Sequence, residues 1–332
     1  MTAFSFARLI RAGVLPPLVT LLTLVLSTAG CSGESGAGPE DEEGYPDVDR
    51  YAAIPGDVVK GTPETDPSPP ILHSPDFTDP APLPQPVNSA GSEDAPFIPV
   101  ADDALYFFFA ADLRDDASLQ IQNPVNGIWV ARRNEGGWAE PSLVWLQDPG
   151  VLALNGCPFV SGDGMLFCTV REGFPELGWF EADRESGRWG NWRPASFPEA
   201  LEVGELHVHG DELYYDSPRA GGRGGRDIWR AIRSGDTWVS PENVEAVNTH
   251  ADETRPYLSR DGSELWITRT FQGSPAVFRS VRVGGAWQEA ELIVSRFAGE
   301  PTLDSAGNLY FVHHFMRDGA RVEADIYVAY RR

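Results

Sequence analysis

The sequence predicts an all-β protein, because short alternating apolar runs separated by Gly, Asp and Asn turns fill the chain from about residue 82 onward. No stretch of this region shows sustained helical periodicity. An aromatic side chain recurs at intervals of 50, 50, 49 and 49 residues, at Trp129, Trp179, Trp229, Phe278 and Tyr327. A second series recurs at intervals of 51, 49 and 49 residues, at Trp138, Trp189, Trp238 and Trp287. Two series that share one period predict five copies of a β unit.

Each repeat has room for four short strands, which is the content of one blade of a β-propeller. The fourth repeat shows the opening pair of strands best, from Pro256 to Trp266, with Asp261-Gly262 at the tight turn between them. The recurrent aromatic lies on the third strand, and the fourth strand follows the tryptophan of the second series. The sequence therefore predicts a five-bladed β-propeller over residues 82–332.

Ring closure is expected from the N-terminal side of this domain. The sequence reaches Arg332 directly after the third strand of the fifth repeat, which leaves that blade one strand short. Pro86-Val87-Asn88 precedes Pro96 at the same offsets at which Ala246-Val247-Asn248 precedes Pro256. We therefore expect residues 83–88 to form the missing strand, which would also remove an exposed sheet edge.

The first thirty residues have the features of a secretory signal peptide. Arg8 and Arg11 precede an apolar run from Val14 to Leu26, and small residues lead to Cys31. The Ala-Gly-Cys31 sequence resembles the bacterial lipobox, although Thr28 stands where leucine is usual. The resemblance implies lipid on Cys31 and anchoring in the cell envelope, on the outer membrane or cell surface, with the domain in the periplasm or outside. The alternative is an ordinary signal peptide with an incidental cysteine.

Residues 31–81 are expected to form a disordered, acidic linker rich in Pro and Gly. Residues 32–81 hold twelve acidic residues against Arg50 and Lys60, and contain few large apolar side chains. The whole chain has a formal net charge of −23. Such a charge excludes nucleic acid as a partner and leaves the lipid as the expected contact with the membrane.

A disulfide between Cys157 and Cys168 is expected from a predicted hairpin. The two cysteines flank Ser161-Gly162-Asp163-Gly164 symmetrically, which places them opposite each other on adjacent strands. With Cys31 lipidated, they are also the remaining pair in an oxidising compartment. The alternative is a pair of buried free thiols.

The segment from Ser217 to Trp229, with its glycine-rich stretch before Asp227-Ile228-Trp229, resembles the signature of bacterial WD40-like (TolB-type) propeller repeats. The opening from Pro256 to Gly262 fits the same pattern. The resemblance covers residues 82–332 and departs from the family in the first repeat, where Asp112 to Asn126 replaces the glycine-rich loop. It implies a propeller that acts as an envelope scaffold or as a binding module for a protein or a glycan, without catalysis.

Carboxylates are the main candidates for chemistry at the mouth of the central funnel. The residues three positions before each strand opening, together with Glu300, are Glu93, Asn155, Glu202, Glu253, Ala298 and Glu300. Converging oxygen ligands could hold Ca²⁺, or two carboxylates could act on a glycosidic bond as acid and base. Because the glutamate recurs with the repeat, a structural role in each blade is the third interpretation. The rival to the binding module is thus a carbohydrate-active enzyme that uses Glu93, Glu202, Glu253 or Glu300.

Other polar residues give weaker signals. His207 and His209 share one face of a strand without an evident third metal ligand, and His313 and His314 should point to opposite faces. A loop with Arg223 and Arg226 could hold an anion. No nucleophile elbow, phosphate loop, dinucleotide fingerprint or zinc signature is present, so no cofactor is expected beyond a possible Ca²⁺.

Overall fold

A computed structural model describes residues 45–332, and in it five antiparallel sheets form a five-bladed β-propeller, as the repeats predict. Within this range three short helices lie outside the blades: α1 (Arg50–Ala53), α2 (Ala117–Gln120) and a 3₁₀ helix (Glu199–Leu201). The predicted signal peptide, Cys31 and the start of the linker lie outside the described residues. No described helix is long and apolar enough to cross a membrane.

In each blade the strands follow one another from the axis to the rim. Two strands precede blade one: β1 (Ile71–Leu72) and β2 (Ala81–Pro82). Blade one comprises β3 (Ser92–Phe97), β4 (Ala104–Ala110), β5 (Gly127–Asn134), β6 (Gly137–Trp138) and β7 (Ser142–Leu143). Blade two comprises β8 (Ala153–Ser161), β9 (Gly164–Arg171), β10 (Phe174–Glu185) and β11 (Arg188–Pro194).

The other three blades repeat this plan. Blade three comprises β12 (Leu206–His209), β13 (Glu212–Ser217), β14 (Asp227–Ser234) and β15 (Thr237–Asn243). Blade four comprises β16 (Glu253–Leu258), β17 (Glu264–Phe271), β18 (Ser274–Val283), β19 (Ala286–Trp287) and β20 (Glu291–Ser295). Blade five comprises β21 (Ala298–Leu303), β22 (Leu309–Arg317) and β23 (Ala320–Ala329), with β2 at its rim.

The ring closes through an N-terminal strand, as expected, but the prediction that residues 83–88 form this strand is wrong. Strand β2 covers Ala81–Pro82, and the chain turns at residues 85–87. Strand β2 pairs with β23, with Ala81 opposite Val328. The chain then stays beside β23, where the Asn88 side chain accepts a hydrogen bond from Ile326 N at 3.0 Å and donates to Ile326 O at 2.9 Å. Asn248 makes the same pair of bonds with Ile228 in blade three. The equivalence between residues 86–88 and 246–248 is therefore structural.

Both aromatic series hold the blades together. Of the first, Trp129, Trp229, Phe278 and Tyr327 are buried. Each tryptophan of the second lies under an arginine five residues before it, with guanidinium-to-ring distances of 4.3, 5.6, 4.3 and 5.0 Å along the chain. Trp287 also reaches blade three, where its Nε1 donates to Tyr214 Oη at 3.1 Å. The repeat thus encodes inter-blade packing.

The predicted disulfide is present. Cys157 and Cys168 are bonded, with their Cα atoms 5.4 Å apart. In the pairing of β8 with β9, Cys168 lies opposite Gly156, which is the residue before Cys157. The bond therefore joins the innermost strand of blade two to its neighbour.

The predicted disorder of the linker is wrong for residues 45–80, which we call the strap. Its Arg50 forms an ion pair with Glu93 at 3.3 Å, and Lys60 Nζ contacts Glu323 at 2.6 Å. Strand β1 extends the sheet of blade four, and Phe77 is fully buried with its ring edge-on to Trp266. Buried ion pairs and one aromatic anchor offset the ordering entropy that its composition alone would not.

Candidate functional site

The innermost strands of four blades share an unusual backbone feature. In each, the residue before a proline adopts the left-handed conformation: Ala95 (φ 50°), Cys157 (φ 53°), Arg255 (φ 54°) and Glu300 (φ 57°). The pairing register of each strand shifts at this point, which marks a β-bulge. Bulges re-aim a side chain and occur next to functional sites.

These residues line a recess to which all five blades contribute. Blade three lacks the proline, and Glu205 takes the equivalent place just before β12. We call Ala95, Cys157, Glu205, Arg255 and Glu300 the axial ring. The recess they surround has a cavity volume of about 60 Å³. That volume holds a small number of water molecules or an ion.

One end of the recess is lined by aromatic side chains that lie two residues after members of the axial ring along the same strands. His207 lies 4.8 Å from Tyr257 and 6.3 Å from Phe97, measured between ring centroids. Phe159 packs behind them, 5.1 Å from His207 and 5.3 Å from Phe97. Burial, followed by the charge of His209, lowers the pKa of His207 to about 3, so this imidazole is neutral. We call these four rings the aromatic plug.

Charged groups occupy the rest of the ring. The Arg255 guanidinium contacts Glu300 Oε2 and lies 3.7 Å from Glu205 Oε1. The same Glu205 oxygen lies 3.3 Å from Cys157 Sγ, so the disulfide forms part of the wall. One arginine therefore neutralises part of the charge of two carboxylates.

A second group of charges lies beside the ring. Asp94, which precedes Ala95, pairs with Arg321 at 2.9 Å and lies 3.6 Å from His314 Nε2. Asp94, His314 and Glu300 each offer an atom within 4.8 Å of the others. We call Asp94, Glu205, Arg255, Glu300, His314 and Arg321 the axial charge cluster.

The environment separates the acidities of these groups. Burial raises the pKa of Glu300 well above its usual range and raises that of Glu205, against the opposing charge of Arg255. Burial also opposes ionisation of Asp94, but the interactions of its carboxylate with His314, Arg321 and Arg255 outweigh it, and the pKa of Asp94 falls. Burial lowers the pKa of His314. Asp94 is thus the acid of the cluster whose ionised form is favoured, whereas burial disfavours the charged forms of Glu300 and His314.

Of the carboxylates predicted for the funnel, only Glu300 reaches the recess. Glu253 is fully buried inside blade four, where it accepts bonds from Thr249 N at 3.0 Å, Thr249 Oγ1 at 2.6 Å and Arg269 Nε at 2.7 Å. Glu93 is bonded in the same way to Ser89 N at 3.0 Å, with Arg50 as its counter-ion. The recurrent glutamate therefore supports the turn before each of these blades.

Asn155 and Glu202 also lie outside the recess. Asn155 is buried and accepts hydrogen bonds from Thr169 at 2.8 Å and Arg171 at 3.0 Å. Glu202 is exposed at the end of the 3₁₀ helix, with φ 49°. The position that reaches the axis is the one immediately before the proline, and Glu205 fills it in blade three.

Glu253→Gln should lower the free energy of unfolding by about 2–3 kcal/mol, because an amide cannot accept all three bonds and leaves Arg269 without its charge partner. Urea denaturation measures the change. Glu202→Gln is the matched control and should stay within about 0.5 kcal/mol of the parent protein, since its side chain is exposed. Equal effects of the two substitutions would contradict the role assigned to Glu253.

The weaker candidates have structural partners. His313 and His314 point to opposite faces as expected, with His313 Nε2 2.7 Å from Asp66 of the strap. His209 lies 3.2 Å from Arg260 O, away from the recess. In the glycine-rich loop, the Asp227 carboxylate accepts bonds from the backbone of residues 223 and 224, which fills the predicted anion cradle.

Sequence reasoning missed Asp94, Glu205, Arg255 and Arg321, and it gave His314 no part in the funnel. One signal was available for Arg255: a residue followed by proline recurs at 95–96, 157–158, 255–256 and 300–301. His314 and Arg321 come from β22 and β23, and no repeat marks them.

Comparisons with solved structures give distant matches. No family model and no curated protein matches the chain. A Dyadobacter fermentans DSM 18053 protein of unknown function is 14% identical over 78% of this chain and 100% of its own, with a TM-score of 0.45. An endo-arabinase from Bacteroides thetaiotaomicron VPI-5482 is 14% identical over 73% and 94%, with a TM-score of 0.43. An Agrobacterium tumefaciens protein assigned as TolB is 14% identical over 73% and 84%, with a TM-score of 0.37.

Proposed function

We propose that this protein is a non-catalytic binding module of the cell envelope that takes its ligand or protein partner at the axial recess. The proposal rests on the small volume of the recess and on the ion pairs of its carboxylates. The recess encloses about 60 Å³, and its carboxylates are engaged by arginines. Pockets that enclose organic ligands usually span about 300 Å³ or more. A recess of this size receives an ion or the end of a larger ligand.

The runner-up, a carbohydrate-active enzyme, is favoured by one observation. Asp94 and Glu300 each present an atom within 4.8 Å of the other, and their pKa values move in opposite directions. Retaining glycosidases place two carboxyl groups about 5 Å apart, one protonated and one ionised. However, both groups here are held in ion pairs, and the recess is smaller than the pockets that usually enclose organic ligands.

Hydrolysis assays separate the two functions. The full chain should show no turnover of arabinan, xylan or galactan, or of aryl glycosides. A thermal-shift screen with cell-wall glycans and envelope extracts should instead give a raised melting temperature that Glu300→Gln removes and Glu202→Gln retains. Turnover abolished by Glu300→Gln, with the fold intact, would establish the enzyme and overturn the binding module.

The envelope location rests on the N-terminal sequence. Lipid attached at Cys31 would hold the propeller at a membrane, since more than one acyl chain gives stable anchoring. Cys31→Ser should therefore abolish incorporation of labelled palmitate and move the protein from the membrane to the soluble fraction. Unchanged labelling or unchanged fractionation of the variant would contradict lipidation at this residue.

A further inference from the structure

The axial charge cluster carries a formal negative charge that no side chain in it balances. Asp94, Glu205 and Glu300 are three acids, whereas Arg255 and Arg321 are two guanidinium groups. None of these five side chains is more than 17% exposed. An unbalanced charge is unfavourable at such burial, so the cluster should take up either a proton or a cation.

Three side chains of the cluster are placed to hold a cation. Asp94, Glu300 and His314 present ligand atoms within 4.8 Å of one another. Arg321 Nη1 contacts Asp94 Oδ2 at 2.9 Å and His314 Nε2 at 3.3 Å, and Arg255 contacts Glu300 Oε2. Glu300 Oε1 and Asp94 Oδ1 are the oxygens placed for an ion, and Oδ1 also accepts a hydrogen bond from Ala95 N at 3.0 Å. Arginines on the outer oxygens are the kind of second partner that orients metal-binding carboxylates.

Glu300 gives an independent sign of a missing ligand. Its side chain is 8% exposed, and the polar contact of its carboxylate is the ion pair between Oε2 and the Arg255 guanidinium. The left-handed conformation at Glu300, followed by proline, holds this incompletely bonded carboxylate at the recess. A carboxylate has about four lone-pair sites, so this single contact leaves most of its capacity to bind a donor or an ion unused.

The donor set indicates the class of ion. One imidazole nitrogen with two carboxylate oxygens suits first-row transition ions, whereas Ca²⁺ takes six to eight oxygens. Ligand atoms that lie about 2.1 Å from a tetrahedral ion are about 3.4 Å from one another. The distances between the three ligand atoms, which are at most 4.8 Å here, would therefore shorten by about 1.4 Å or less. The recess leaves room for water as the remaining ligand.

We propose that Asp94, Glu300 and His314 bind one first-row divalent transition ion at the propeller axis, with Arg255 and Arg321 orienting the two carboxylates. The proposal names the ligand class of the recess and so deepens the binding function above. It also revises the expected ion, because the sequence pointed to Ca²⁺ on oxygen ligands alone. The ion would supply the positive charge that the cluster lacks.

Isothermal titration of the chelator-treated full chain with Zn²⁺ tests the proposal. We expect one saturable site per chain, with a dissociation constant raised at least tenfold by Glu300→Gln, by His314→Gln and by Asp94→Asn. His209→Gln and Glu202→Gln are the matched controls and should bind as the parent does. Circular dichroism identifies any variant that fails to fold, and the remaining two then decide.

Cobalt and calcium supply the second readout. Co²⁺ at the site should give visible absorption bands that Zn²⁺ displaces, and Ca²⁺ should bind at least tenfold more weakly than Zn²⁺. No saturable binding, binding unchanged in all three site variants, or a preference for Ca²⁺ would each overturn the proposal. Loss of metal binding with retained Glu300-dependent glycan or protein binding would leave the proposed function standing.

Discussion

Arg50→Met should lower the free energy of unfolding by about 3–5 kcal/mol. Arg50 is 1% exposed, pairs with Glu93 and lies over the rings of Phe107, Phe109 and Trp129 at 5.5–5.8 Å. Methionine keeps much of the apolar contact but leaves Glu93 as a buried, uncompensated carboxylate. The loss would show that the strap is part of the folded domain. Urea denaturation at neutral pH measures it.

The control for this substitution lies on the same contact between the strap and blade one. Arg114 bonds to Asp57 of the strap at 2.6 Å, but its side chain is 56% exposed. Exposed ion pairs contribute about 0–1 kcal/mol, so Arg114→Met should have a small effect. If Arg50→Met were no more destabilising than Arg114→Met, the strap would not be docked as described.

His207→Phe should make the protein more resistant to acid. The folded protein binds a proton on His207 only near pH 3, whereas the unfolded chain binds it near pH 6.5. Stability linked to this residue is therefore complete above pH 6.5 and is lost as the pH falls towards 3. At pH 4.5 the loss should reach about 2–3 kcal/mol, at 1.36 kcal/mol per pH unit. Phenylalanine preserves the aromatic plug and cannot take up the proton.

The measurement is the change in unfolding free energy between pH 7 and pH 4.5. This change should be smaller in His207→Phe than in the parent by the same 2–3 kcal/mol. The exposed His250 provides the control, since His250→Phe should leave the pH dependence unaltered. Equal acid sensitivity of His207→Phe and the parent would show that other groups govern acid unfolding.

The blade count, the ring closure and the disulfide could be predicted because each follows from a spacing. The aromatic residues recur because every blade needs the same inter-blade contacts, as Trp138 and Trp287 show. The offset shared by Asn88 and Asn248 reflects one hydrogen-bonding role used twice. Local repetition therefore determines the architecture.

The strap could not be predicted from its composition. Its order depends on Arg50, Lys60 and Asp66 finding oppositely charged or hydrogen-bonding partners far away in the sequence. Lys60, for example, meets Glu323 across 263 positions. Secondary-structure propensity and hydropathy depend on residues close together in the sequence, so neither can predict ion pairs between residues that are far apart in it.

The axial site could be predicted only in part, because strand alternation assumes regular pairing. A bulge adds one residue and changes which side chain faces the axis. Glu253, three residues before the strand opening, therefore lies inside its blade, whereas Arg255 and Glu300 face the recess. In blade three no proline marks the strand opening, and the sequence alignment puts Glu205 at the opening itself, one residue away from the position that it occupies.

The residue before each axial proline has the same left-handed backbone conformation in four blades, but the amino acid at this position differs from blade to blade. Alanine, cysteine, arginine and glutamate occupy it in four blades without altering the bulge that presents them. The residues that form the hydrogen-bonded blades and the residues whose side chains line the recess are thus encoded by different codons. A single nucleotide change at position 95, 255 or 300 alters the charge or the donor set of the centre, whereas position 157 is held by its disulfide. Proteins with this frame can diverge in what they bind far faster than in how they fold.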